Sequence, residues 1–295
     1  MQLALKVDVD TRIGLAEGVP RLLELFRRYD IRASFFVSFG PDHSGRAIRR
    51  IFHPSFIVKM LRTNPFRLYG VKTLLSGTLL PSKPIGEENP DRLRAIVDGG
   101  HELGIHGYDH VFWQDRLERL SKAEIEAELG RAVNAYERVL GVRPRASAAP
   151  GWRCTAASLS AQDRYGFAYA SDVRGGAPFL PSCDGRTFKT LQIPTTLPTL
   201  DELIGRERRI NEVLLSSLRD ELNVHTVHAE VEGRPYLNSF EEFLSEIRRR
   251  SVETIRLGEV AAKLLNQPLN SLPTREVRKG SLPGRSGWVA CPMEP

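Results

Sequence analysis

Cysteine is scarce in this chain. Cys154, Cys183 and Cys291 are its only three, an odd number with no CxxC pair. That excludes a disulfide framework and a cysteine-bound zinc site, and a reducing cytoplasm is the expected setting. No uninterrupted apolar run is long enough to span a bilayer. The opening MQLALKVDVD has acids by its eighth residue and no apolar core region, so no secretory signal is expected. Acid is itself missing from one place. From His43 to Gly86 there is no Asp or Glu, while Arg46, Arg49, Arg50, Lys59, Arg62, Arg67, Lys72 and Lys83 lie among Phe, Leu, Ile and Met. Apolar and cationic residues without acids suit a surface resting on anionic lipid; the plainer alternative is the solvated basic face of a helical subdomain. The net charge of +6 likewise points to an anionic partner, whether nucleic acid, phosphate or an acidic membrane surface.

What is present is a regular alternation. Strand patterns at 3–9, 32–40, 101–106, 144–152 (running into a tight turn), 167–171, 191–196, 224–231 and at the start of 254–265 are interleaved with helical patterns. The helices are expected at Gly18–Tyr29, Asn89–Asp98, Ser121–Leu140, Leu159–Tyr165, Asn211–Glu221, Phe240–Arg249 and the end of 254–265. Pro20 and Pro90 suit first helical turns, and Ser121 with Glu124 forms a capping box. The fold class is therefore α/β, and the number of units favours an incomplete or distorted parallel (β/α) barrel over a doubly wound sheet. The acid-free stretch reads as an insertion after the second strand. Beyond Asn266 the Pro-, Gly- and Ser-rich tail reads as a surface arm with Trp288 as its only large anchor.

In such folds sites form at the carboxyl ends of strands. Asp8 and Asp10 end the first strand two residues apart, so an extended chain turns both to one side. Two close carboxylates repel unless a cation lies between them; the alternative is a turn pair. His106 and His110 follow the third strand with i, i+4 spacing, a metal pair if a helical turn aligns them or two surface histidines if not. His101 starts that strand, at the wrong end for catalysis. On the late strand His225 and His228 point to opposite faces; His228 is nearer the carboxyl end and, if extended, shares a face with Glu230 and Glu232. "AAPGWR" (148–153) and "SDVRG" (171–175) also follow strands and offer Trp152, Arg153, Asp172 and Arg174. Arg153 could pair with Asp172, and Arg174 could meet an anion; solvated arginines are the alternative.

These pieces, in this order, resemble the polysaccharide deacetylases, the NodB-homology group of metal-dependent amide hydrolases, over residues 2–260. The resemblance implies a distorted (β/α) barrel. It also implies a single divalent metal (zinc, manganese or cobalt) held by Asp10, His106 and His110, with Asp8 as general base and His228 as general acid. "AAPGWR" stands where the third motif lies, but its arginine follows the proline, so the usual base-orienting role does not carry over directly to Arg153; Asp172 resembles the acid of the fourth motif. Trp152, Arg153, Asp172, Arg174, Glu230 and Glu232 are the implied substrate-binding residues. "EGVPRLLE", "SAAPGWR", "SDVRG", "QIPTTLPT", "HAEVEG" and "GRSGW" look most like the branch that deformylates 4-deoxy-4-formamido-L-arabinose carried on undecaprenyl phosphate, for lipid A modification and polymyxin resistance. That branch implies a lipid-linked sugar partner, peripheral attachment to the cytoplasmic face of the inner membrane and no nucleic-acid partner. Residues 1–260 would form the catalytic domain, including the 43–86 insertion, and 261–295 the helix end and arm. Three readings compete with it. The nearest is an N-deacetylase of another lipid-linked or polymeric amino sugar, since the metal motifs do not separate acetyl from formyl. Two histidines and a carboxylate also make the facial triad of non-haem iron oxygenases, and a lipid-binding protein could use residues 43–86 alone.

Overall fold

Period-two alternation decides the first strand. In β1 (Gln2–Val9), Leu3, Leu5, Val7 and Val9 turn outward into a core shared with helices, whereas Ala4 lies in a second core inside the sheet's curl, on the face that also carries Lys6 and Asp8. The computed structural model describes residues 1–47, 60, 62, 68, 70, 73–268 and 271–293. Much of the acid-free stretch falls outside them, including Arg49, Arg50, Lys59, Arg67 and Lys72.

Among the described residues eight parallel strands make the main sheet. They are β1, β2 (Ser34–Val37), β3 (Glu102–Ile105), β4 (Ala146–Ser147), β5 (Tyr169–Ala170), β8 (Leu191–Gln192), β9 (Leu222–His228) and β10 (Glu253–Thr254). One edge of β1 is taken by β9; the other is shared between β10 at its start and β2 at its end. From β2 the order runs β3, β4, β5, β8. The curl is not closed by a ladder between β8 and β9. The backbone N–H groups of Thr196 and Leu197 instead donate to the Val224 carbonyl, and the Thr195 and Thr226 hydroxyls meet at 2.8 Å across the seam. Pro194, which cannot donate, interrupts the pairing of 191–196, and a single parallel bridge to Arg174 resumes it at Thr195. The expected α/β class and incomplete barrel are what the chain adopts.

The helices cover the outside. In α1 (Val19–Tyr29), Pro20 lies in the first turn and Leu22, Leu25 and Phe26 are buried, each worth roughly 1.5–3 kcal/mol of apolar transfer. Then come α2 (Pro90–Asp98), α3 (His110–Arg116) and α4 (Lys122–Leu140), with the expected Ser121–Glu124 capping box and a left-handed Gly141 at its end. They are followed by α5 (Ala156–Tyr165), the single turn α6 (Leu200–Leu203), α7 (Ile210–Ser216), α8 (Leu237–Arg249) and α9 (Leu257–Leu265). The helix expected to reach residue 221 stops at Ser216, because the buried Asn223 side chain grips the Arg219 backbone at both N–H and C=O and turns the chain into β9.

The tail does not run as a surface arm. β11 (Thr274–Gly280) and β12 (Val289–Pro292) join β6 (Leu180–Cys183) and β7 (Arg186–Thr187) in a second, four-stranded sheet. Val277, Val289 and Ala290 are buried there, and the Arg174 N–H donates to the Ala290 carbonyl. Polar outward positions on β11 (Thr274, Arg275, Glu276, Arg278, Lys279) hide the pattern in the sequence.

Candidate metal centre and active site

The carboxyl ends of β1, β3 and β9 converge. Parallel pairing sets Asp8 level with His228 on one side and with Phe36 on the other, so the Asp8 and His228 side chains emerge on the same face. Asp10 lies just past β1. His106 follows β3, where its backbone N–H donates to the Val37 carbonyl and the Ser38 hydroxyl donates to the His106 carbonyl. The two histidines are not aligned by a helical turn, as their spacing suggested. Residues 106–109 form a loop, with Gly107 at φ 71°, and His110 opens α3. Asp109 caps that helix by accepting the Phe112 N–H, and its own N–H is held by buried Glu128. The loop nevertheless brings the two imidazoles to 5.3 Å between centroids.

Asp10 sits between them. His106 Nε2 is 3.2 Å from its Oδ1, and His110 Nε2 is 3.3 Å from its Oδ2. One ligand atom from each of the three residues lies within 4.8 Å of the others, and among the described residues no other trio of His, Cys, Asp or Glu comes as close. The donor set fits a divalent cation. His106 Nδ1 faces the Ala148 carbonyl at 2.9 Å, which assigns its proton to Nδ1 and leaves Nε2 free to ligate. Asp10 Oδ1 is buried and makes no aligned hydrogen bond, despite the nearby imidazole. The electrostatics agree. Burial works to raise the Asp10 pKa, but His110 and His106 overcome it and hold the carboxyl far below the usual range. Burial works to lower the pKa of His106, but Asp8 and Asp10 carry it upward. Positive charge is what this point demands, and a divalent ion supplies more of it than a proton. Asp10, His106 and His110 thus form a site for a single divalent metal.

Comparison with known proteins fits this geometry. The sequence profile of the family described as polysaccharide deacetylase matches residues 3–170. The chain belongs to the polysaccharide deacetylase family. It is 38% identical over 294 residues to a Shewanella sediminis protein named as a 4-deoxy-4-formamido-L-arabinose-phosphoundecaprenol deformylase, ArnD, covering 98% of this chain and 94% of that one. A protein of the same name from Wigglesworthia glossinidia brevipalpis is 34% identical, covering 94% of this chain and 98% of its own length. In fold it resembles a Mycobacterium smegmatis structure solved under the name polysaccharide deacetylase, with a TM-score of 0.62 at 18% identity, covering 95% and 94% of the two chains.

Against the family's pattern the remaining candidates divide. Asp8 and His228 flank the metal centre; Asp8 Oδ1 and His228 Nδ1 are both buried without a hydrogen-bond partner. Trp152, in a left-handed conformation at φ 53°, lies edge-on to His228 at 6.2 Å and donates its indole N–H to Thr195. Arg153 turns away. Its guanidinium donates to the Gln114 carbonyl and lies over the Trp288 ring, so the expected pair with Asp172 is not formed. Asp172 instead accepts from the Ala149 backbone and from the amides of Gln162 and Gln192, while burial raises its pKa. It thereby holds the backbone at Ala149, just before the Pro150–Trp152 turn. Arg174 is neither solvated nor free for an anion: it forms a buried bidentate pair with Glu202 at 2.5 and 3.2 Å.

Glu230 and Glu232 do not extend the strand face of His228, because β9 ends there and the chain turns back. Glu232 accepts the His228 backbone N–H at 2.9 Å, and burial pushes its carboxyl up to about 8. Burial and the charge of neighbouring Asp10 push Glu230 well above the usual range. His101 and His225 are buried and stay neutral, as structural residues should.

Two cations at the site escaped sequence reasoning. Lys6 is fully buried with its ammonium 2.6 Å from Asp8 Oδ2. The pattern LALKVDV carried the signal, since Lys6 shares the inward face with Asp8. Arg285, from the tail, lies 4.3 Å over the Trp152 ring and 3.5 Å from Glu202. No local pattern could have placed it there.

Proposed function

We propose that this chain hydrolyses the formamide of 4-deoxy-4-formamido-L-arabinose carried on undecaprenyl phosphate, releasing formate and the free amine. The observation that carries the reading is the convergence of Asp8, Asp10, His106, His110 and His228 in a chain alike over nearly its whole length to two proteins named as that deformylase. A divalent ion on Asp10, His106 and His110 would supply carbonyl polarisation and a more acidic water. The protein's own residues do the proton work. Asp8, whose Oδ1 has no other partner, takes a proton from the attacking water. The water oxygen bonds to the formyl carbon, the C–N bond breaks, and the electron pair leaves with nitrogen. His228, level with Asp8 on the neighbouring strand, gives that nitrogen its proton. Trp152 walls the space beside His228 and keeps bulk water from it.

The substrate's lipid carrier places the enzyme peripherally on the cytoplasmic face of the inner membrane, with the acid-free 43–86 stretch against anionic lipid. Supporting this, the described end of that stretch exposes Leu79 (80%) and Leu80 (41%) near Lys83. No helix among the described residues is long and apolar enough to cross a membrane. Mass spectrometry of the formylated lipid after incubation with metal-loaded enzyme tests the function. A loss of CO with equimolar formate is expected; turnover of acetamido sugars with none of the formamido lipid would replace the substrate by that of an N-deacetylase.

A further inference from the structure

We propose that Lys6 is the positioning residue for Asp8: its ammonium grips Oδ2 and so presents Oδ1 to the water. The inference rests on the function just proposed in assuming that Asp8 takes a proton. Within this family's pattern the third-motif arginine would be expected near the base, but here Arg153 is committed to Gln114 and Trp288 on the far side of its turn. The cation beside Asp8 comes from β1 itself. Residues two apart on a strand share a face, so Lys6 and Asp8 point into the same interior, one layer apart. The Lys6 side chain has no exposure and its Nζ is 2.6 Å from Asp8 Oδ2.

A buried ammonium is costly to desolvate and is retained only where partners hold it. Among the described residues Asp8 is the only carboxylate within 4.0 Å of Lys6. Two aromatic rings lie beside it, Trp152 at 4.9 Å and Phe36 at 5.8 Å. Among the described residues the ammonium's hydrogen bond goes to Asp8 Oδ2. Oδ2 also lies 4.0 Å from His106 Nε2 and so is shared between Lys6 and the metal ligand, while Oδ1, buried and without a hydrogen-bond partner, is the oxygen left unengaged. The same indole lies edge-on to His228, so one side chain braces both sides of the proton path.

The test uses the metal-loaded full chain. Lys6→Met keeps most of the volume and removes the ammonium; kcat should fall roughly 10²-fold, as expected for a misplaced reacting group, with KM and bound metal within about twofold of wild type. Lys6→Arg, which restores a cation, should recover kcat to within about tenfold of wild type. In an Asp8→Asn background, Lys6→Met should cost nothing further, because the two residues act as one unit. That double variant removes both charges and keeps the comparison usable if Lys6→Met alone fails to fold. A crystal structure of metal-loaded Lys6→Met should show the Asp8 carboxylate rotated from its wild-type orientation. An unchanged kcat, an equal loss in the Asp8→Asn background, or an unmoved carboxylate would each overturn the proposal. Wild-type enzyme inert toward the formamido lipid would overturn the substrate reading instead, and the crystallographic arm still decides the role of Lys6.

Discussion

His225 makes this fold sensitive to acid at a point remote from the metal ligands. It projects outward from β9 into the helical core, fully buried, with its ring 5.5 Å from Phe243 and 6.3 Å from Phe240 on α8. Burial lowers its pKa to about 3, helped by the positive fields of His228 and Arg174. The folded pKa lies below the unfolded value of about 6.5, so the unfolded chain binds the proton more readily. Stability from this group is complete above pH 6.5 and is lost as pH falls from there toward 3. The whole shift corresponds to roughly 5 kcal/mol, of which about 2 kcal/mol is gone between pH 7 and pH 5. His225→Leu replaces the ring with an apolar group of similar volume and removes that dependence, at a cost at pH 7 of about 1 kcal/mol. The assay is urea unfolding of chelator-treated protein at pH 7, 6 and 5, so that metal release does not enter the balance. Wild type should lose about 2 kcal/mol more than His225→Leu across that range, equivalent to a midpoint shift of roughly half a molar urea or more. His101, lowered to about 4 by burial, is common to both proteins and cancels. Parallel pH dependences for the two proteins would refute the argument.

Asp8→Asn should keep the metal and lose turnover by roughly 10²–10⁴-fold, whereas His106→Ala should lose both, measured by metal analysis and formate release. A metal-loaded Asp8→Asn protein at wild-type rate would remove Asp8 as the base. Arg174→Ala strands buried Glu202 and should cost about 3 kcal/mol in denaturant unfolding, the low end for a broken buried pair because Arg285 stays 3.5 Å from the carboxylate. Replacing Arg49, Arg50 and Lys59 with Gln should weaken sedimentation with anionic vesicles by roughly 10²-fold, at about 1 kcal/mol per charge. Unchanged sedimentation would dismiss the lipid-facing reading of 43–86.

Whatever depends on local periodicity was legible along the chain. Alternation in LALKVDV set β1 and turned Asp8 inward, the Ser121–Glu124 box started α4, and the position of His225 three residues before His228 put the two on opposite faces. Such features follow from backbone geometry within a few residues. What each charge finds across the fold was settled by three-dimensional packing: that Arg174 meets Glu202, that Arg153 leaves Asp172 to three amide donors, and that Arg285 reaches Trp152 from the tail. A long cationic side chain sweeps several ångströms, and its partner is set by which strands and loops the curled sheet brings within that reach. Lys6 stands between the two cases, since its face was legible in the strand, while its burial against Trp152 required a turn nearly 150 residues away.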